Sequence, residues 1–184
     1  ESEPREGELP LSMMVERLDA ILAHESDITL VGNSLGGWLS ILYTLKRPEK
    51  IARLVLEAGG GLARPLATPA AAKTRDTAIT LLRAVHGPNF VAPDWAIDAV
   101  IARATDSPML RVTEAMQSFV DGRLKDIRVP TTLVWGADDG VLPLDYAEAM
   151  QRGIAGATLH VIDGAAHIPH LQQPERFLAC LTAT

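Results

Sequence analysis

Apolar positions recur along this chain in two rhythms, one of helical and one of strand period. Between Ser12 and His24, Met14, Val15, Leu18, Ile21 and Leu22 share a helical face with Glu16, Arg17 and Asp19 opposite, which predicts an amphipathic helix. Ile28–Val31 is a short apolar run with a β-branched start, suited to a strand covered on both faces. After Gly32, the residues Trp38, Leu39, Ile41, Leu42, Tyr43 and Leu45 make a helix apolar almost all round, hence a deeply buried one, and Pro48 stops it. Leu54–Leu56 is a second strand. It runs into Gly59-Gly60-Gly61, where tandem glycines mark a sharp turn or a close approach.

From Ala63 to Asp121 the rhythm is helical only. Thr68 followed by Pro69 reads as an N-cap with proline at the first helical position. Helices are predicted at about 69–86, 93–105 and 108–121, with no strand among them. Alternation returns after Pro130, with strands at Thr131–Trp135 and Thr158–Ile162 and helices at Leu144–Arg152 and Pro174–Leu181. Strand–helix alternation with short loops implies right-handed crossovers and a parallel α/β sheet of about four strands. The expected organisation is a core of residues 1–62 and 122–184, with a helical cap, 63–121, inserted between strands. Residues 1–10 read as a loose, charged lead-in.

Composition narrows the function classes. With 184 residues, 47% hydrophobic and 22% charged, the chain has the make-up of one globular domain. Seventeen basic against twenty-three acidic residues leave a net charge of −6, which disfavours nucleic acid and anionic membrane as partners. A single cysteine, Cys180, excludes an intrachain disulfide and a cysteine-rich zinc site; it is expected to be an inert packed thiol. No basic-then-apolar leader is visible, so a cytoplasmic location is expected. The first residue is Glu1, which suggests trimming, processing or excision from something longer.

Gly32-Asn33-Ser34-Leu35-Gly36 fits G-x-S-x-G between a strand and a helix. In that setting a strained backbone lifts the serine hydroxyl clear of the sheet, and flanking glycines let strand and helix pass closely. The helix N-terminus then directs backbone N–H groups at any negative charge developing above the serine. The alternatives are a serine that merely caps the helix or a turn that holds phosphate.

A serine nucleophile needs a histidine to take its proton and a carboxylate to orient that histidine. Both types follow later strands, in Gly136-Ala137-Asp138-Asp139-Gly140 and in Asp163-Gly164-Ala165-Ala166-His167. The stretches GNSLGG, WGADDGVLP and GAAHIPHLQQPERF together resemble the α/β-hydrolase superfamily, most closely the branch of esterases and meta-cleavage-product C–C hydrolases. The resemblance implies Ser34 as nucleophile, His167 as general base and Asp139 as orienting acid, with Asp138 its loop neighbour. It also implies the Leu35 N–H as an oxyanion donor, with Asn33 bonding backbone or substrate.

The remaining candidates read as structural. His24, His86 and His160 are assigned to surface or framework. His170 with Asp163 imitates a metal cluster, but nothing completes a ligand set, so no metal or cofactor is assigned. Trp38, Trp95 and Trp135 are read as packing, with Trp95 able to face substrate from the lobe.

The family's fold also implies strands and a second oxyanion donor ahead of the elbow, yet thirty-three residues precede Ser34 and no His-Gly segment occurs among them. Loss of one such donor costs roughly 10²–10³-fold in rate. The Gly59–Gly61 loop, the lead-in or a neighbouring subunit are the alternative sources. The Ile28–Val31 strand is expected to lie at a bare edge, and a homodimer paired through it is the expected partner state.

The first expectation for function is an esterase acting through an acyl-enzyme on a small or medium apolar ester. Its activity should fall as acidification protonates the base. The second is C–C hydrolysis of a vinylogous diketone, with Arg64, Arg75 or Arg103 serving the substrate carboxylate. The third is a weak or inactive truncated remnant.

Overall fold

The computed structural model describes residues 7–68, 72–105 and 108–182. A short strand β1 (Leu9–Pro10) leads into helix α1 (Leu11–Ile21), followed by β2 (Ile28–Asn33), α2 (Leu35–Lys46) and β3 (Ile51–Glu57). The lobe follows, with α3 (Arg75–His86), α4 (Asp94–Arg103), β4 (Val112–Thr113) and α5 (Ala115–Ser118). The core then resumes with β5 (Thr131–Gly136), α6 (Leu144–Gly153), β6 (Thr158–Ile162), α7 (Pro169–Gln172) and α8 (Pro174–Thr182).

Four strands form one parallel sheet in the order β2-β3-β5-β6, as the alternation predicts. Ile28 stands beside Ile51, Leu54 beside Thr131 and Thr132 beside Thr158, so every carboxyl end points the same way. The loops after these strands therefore gather at one rim, where parallel sheets place their sites. All six residues of β5 are buried. β2 and β6 are the outer strands, and Val31 on β2 is 47% exposed.

Helix α2 behaves as its composition requires, with none of its residues exposed. Tyr43, Val15 and Ile51 join it to α1 and the sheet. The amphipathic reading of α1 needs one correction at each edge of its apolar stripe. Ile21 is 76% exposed. Asp19, read as solvent-facing, instead accepts from Arg47 Nε and Nη2, both at 3.0 Å. The Arg47 guanidinium holds the Asp19 carboxyl down to about 2.

The lobe departs most from expectation. Thr68 caps no helix: its hydroxyl donates to the Gly140 carbonyl at 2.9 Å, and Pro69 lies outside the described residues. The cap of α3 is Thr74, locked reciprocally with Thr77. The predicted helix at 108–121 is broken up. Glu114 is left-handed at φ 64°, and before it Val112 and Thr113 pair with Leu9 and Pro10. The Glu114 carboxylate also accepts the Ser12 N–H at 3.0 Å. A strand thus exists where none was expected, because the lead-in supplies a partner that local periodicity cannot reveal. Among the described residues no helix is long and apolar enough to cross a membrane.

Candidate active site

The rim begins at Ser34, between β2 and α2. Its backbone stands at φ 53°, ψ −117°, a region that non-glycine residues occupy only when their surroundings impose it. Its N–H donates to the Glu57 carbonyl at 3.1 Å, and its own carbonyl accepts from Gly60 and Trp38 at 2.9 and 3.2 Å. A side chain at Gly32 would collide with the Gly36 carbonyl and the Ser40 hydroxyl; one at Gly37 would come within 2.6 Å of Gly59 Cα. Gly36, by contrast, faces open space. Close passage of strand and helix therefore rests on Gly32 and Gly37 and not on both motif glycines.

Asp139 sits three residues beyond the end of β5 and His167 five beyond the end of β6. The carboxylate is fully buried and takes three N–H donors, Val141 N and Leu142 N at 2.9 Å on Oδ1 and His167 Nδ1 at 2.9 Å on Oδ2. Because the carboxylate accepts, Nδ1 carries the proton and Nε2 is left as the basic nitrogen. Asp138 is exposed, and its backbone N–H is bound to the Ala165 carbonyl.

Ser34, Leu35 and His167 share the wall of one cavity of about 420 Å³. The Ser34 hydroxyl makes no hydrogen bond among the described residues. Such contacts often tighten only around substrate.

The other walls are largely apolar, with Leu62, Leu66, Leu81, Val85, Val112 and Leu142 among them. Trp38, read as packing alone, also lines the cavity and stacks on Phe119 with centroids 5.3 Å apart and planes 4° from parallel. The Trp38 indole N–H donates to the Ser118 carbonyl at 3.0 Å, which ties elbow helix to lobe. Two hydroxyls on the walls are already engaged, Thr68 with Gly140 and Tyr146 with the Leu62 N–H at 2.6 Å. Burial pushes the Tyr146 phenol up to about 12.

Among the described residues Arg64 is the one cation lining the cavity, and Asp145 holds it at 3.3 Å. Arg75 is bound to Asp94, and Arg103 is exposed at the end of α4. Trp95 is 74% exposed and does not line the cavity.

The last turn of α3 braces both loops of the acid–histidine pair. Ala84 O accepts from Gly140 N at 3.0 Å, Val85 O from His167 N at 3.1 Å, and His86 O from Gln172 Nε2 at 2.7 Å. These are carbonyls that a helix end leaves without internal partners. His86 also stacks on Phe90.

Of the two roles open to Asn33, bonding backbone is the one seen. Asn33 does not reach the cavity; its amide donates to the carbonyls of His167 at 3.0 Å and Glu57 at 3.3 Å. His170 pairs with Glu57, not Asp163, and among the described residues no group of three potential metal ligands occurs. Gly60 N is committed to Ser34 O, which removes that N–H from the possible oxyanion donors of the glycine loop. The Cys180 thiol is half-buried and bonded to the Arg176 carbonyl, and burial raises its pKa.

A strained serine at the first turn, an acid after β5 and a histidine after β6, all at one rim of a parallel sheet, define the hydrolase class of α/β proteins. The chain belongs to the alpha/beta hydrolase family, which it matches over residues 2–179. It is 28% identical over 187 aligned positions to the 2-hydroxy-6-oxononadienedioate/2-hydroxy-6-oxononatrienedioate hydrolase of Escherichia coli (strain K12), covering 91% of this chain and 63% of that relative. The chain thus spans less than two thirds of that relative's length.

Similar solved structures include a meta-cleavage product hydrolase from Pseudomonas fluorescens IP01, with TM-score 0.76 and 21% identity over 98% of this chain and 74% of that one. The carboxylesterase CesB from Bacillus subtilis scores 0.75 at 20% identity, over 99% and 70%. Both are likenesses of fold.

Proposed function

We propose that this chain carries the site of a serine hydrolase that cleaves carboxylic esters through an acyl-enzyme. The observation that carries the reading is that His167, held from behind by the buried Asp139, lines the same cavity as the strained Ser34. In this reading His167 Nε2 takes the Ser34 proton as Oγ attacks the ester carbonyl, and Asp139 steadies the imidazolium. The Leu35 N–H, at the start of α2, meets the developing oxyanion. The proton passes to the departing alcohol, and water then releases the acid by the same steps in reverse.

The apolar walls, with their wall hydroxyls engaged internally, favour an ester recognised by shape over one recognised by many polar groups. Ser34→Ala should lower turnover of p-nitrophenyl butyrate by at least about 10³-fold. A fluorophosphonate probe should leave its adduct on Ser34 in the native protein. An unlabelled Ser34, or an unchanged rate in the variant, rejects the reading.

C–C hydrolysis of a meta-cleavage product is the second reading, favoured by the named activity of the Escherichia coli relative and by Arg64 on the cavity wall. A dicarboxylate of that kind would bring two negative charges to a cavity with one cation among its described lining residues, so it ranks second. Side-by-side turnover of a ring-fission product and a simple ester separates the two.

A further inference from the structure

We propose that Glu57 is a positioning residue: with His170 and Asn33 it clamps the loop carrying His167 to the strand end carrying Ser34. The inference rests on the serine-hydrolase reading of the site and adds to it a group outside the cavity.

Glu57 ends β3, its side chain only 3% exposed, where an unbonded carboxylate would be costly. Oε1 accepts the His170 backbone N–H at 2.7 Å, and the His170 ring Nδ1 lies 2.9 and 2.8 Å from the two carboxylate oxygens. His170 stands three residues beyond His167, and its ring meets Phe177 of α8 edge-on at 6.0 Å. The backbone carbonyl of the same Glu57 accepts from Ser34 N at 3.1 Å and Asn33 Nδ2 at 3.3 Å. That asparagine amide also donates to His167 O at 3.0 Å.

One residue therefore holds the nucleophile's backbone with its carbonyl and the histidine's loop with its carboxylate. Stability alone does not call for such a group, since apolar residues often replace buried polar pairs without loss. Alignment of a base with its nucleophile does, because displacement by about 1 Å can cost 10²-fold in rate.

The test uses Glu57→Gln, His170→Ala, the double variant and His170→Asn, all confirmed folded by circular dichroism. With p-nitrophenyl butyrate, Glu57→Gln and His170→Ala should each lower kcat about tenfold with KM nearly unchanged. The double variant should lose no more than either single one. His170→Asn, whose amide can still donate to Glu57, should recover most of the rate. Additive losses, or a change confined to KM, overturn the clamp.

A second measurement needs no turnover: the low-field proton resonance of the His167–Asp139 hydrogen bond should shift or broaden in folded His170→Ala. An unchanged resonance overturns the clamp. Failure of the fluorophosphonate to label wild-type Ser34 would instead reject the hydrolase reading, with the resonance still deciding the clamp.

Discussion

Gly37 lies under the elbow and Phe119 on the lobe side of the cavity, and the two are held by different forces. Beneath Ser34, backbones approach so closely that a side chain on Gly37 would meet Gly59 Cα at 2.6 Å. On the lobe side, Phe119 is only half-buried and rests on Trp38 through a parallel stack, an interaction worth about 0.5–1.5 kcal/mol beyond its buried area. Hard contact tolerates no added atom, whereas a stacked ring can be removed and leave the fold standing. The rim beneath should govern stability and rate together, and the lobe should govern what the cavity accepts.

The largest effect should come from the glycines beneath. Gly37→Ala should destabilise by about 1–3 kcal/mol through overpacking, and by shifting the elbow should cut ester turnover about 100-fold. Gly36→Ala, with open space at its Cβ, should leave stability unchanged or slightly raised, alanine being the better helix former. Urea midpoints of the two variants make the comparison, and equal losses would dissolve the distinction.

Next in size is Phe119→Ala. It should raise KM for p-nitrophenyl butyrate roughly tenfold while lowering Tm by only about a few degrees. If it unfolds the protein more than Gly37→Ala does, the lobe is part of the framework after all.

The smallest effect lies at Tyr146, where lobe-proximal loop and core meet. Its phenol titrates near 12 in the folded protein, against 10.0 for the ordinary group. The unfolded chain therefore loses that proton first, and stability should fall as pH rises between those values. Tyr146→Phe should cost about 1 kcal/mol at neutral pH, through the unsatisfied Leu62 N–H. The gap to wild type should then narrow at alkaline pH, as urea midpoints across that range would show. A constant gap would mean that the phenol does not feel its burial.

The elements nearest the sheet were legible because their signals are local. Ile28, Leu54, Thr131 and Thr158 begin runs whose apolar texture and flanking turns state their type without reference to anything distant. The proposed triad of Ser34, Asp139 and His167 was picked out for a related reason: each lies in the loop or turn after such a run, and parallel strands bring their carboxyl ends together. Asp139 could be preferred to Asp138 only through the spacing from Gly136 to Pro143 that the resemblance supplies, and the hydrogen bond to His167 agrees with that choice. Glu57 was passed over because a carboxylate at the end of an apolar strand looks like its solvated terminus. Its partners lie 113 and 24 positions away along the chain.

By itself the amino-acid order determined which segments become strands and helices in the core, the order of the proposed site residues along the rim, and that glycines crowd the elbow. Only the tertiary structure decided that Val112 and Thr113 join the lead-in as a strand, that α3 lends its final carbonyls to the acid and histidine loops, and that Asn33 and His170 serve the backbone and Glu57. The physical reason is range. Periodicity, caps and steric limits act within a few residues, whereas a hydrogen bond between loops exists only after the intervening chain has folded and brought donor and acceptor together.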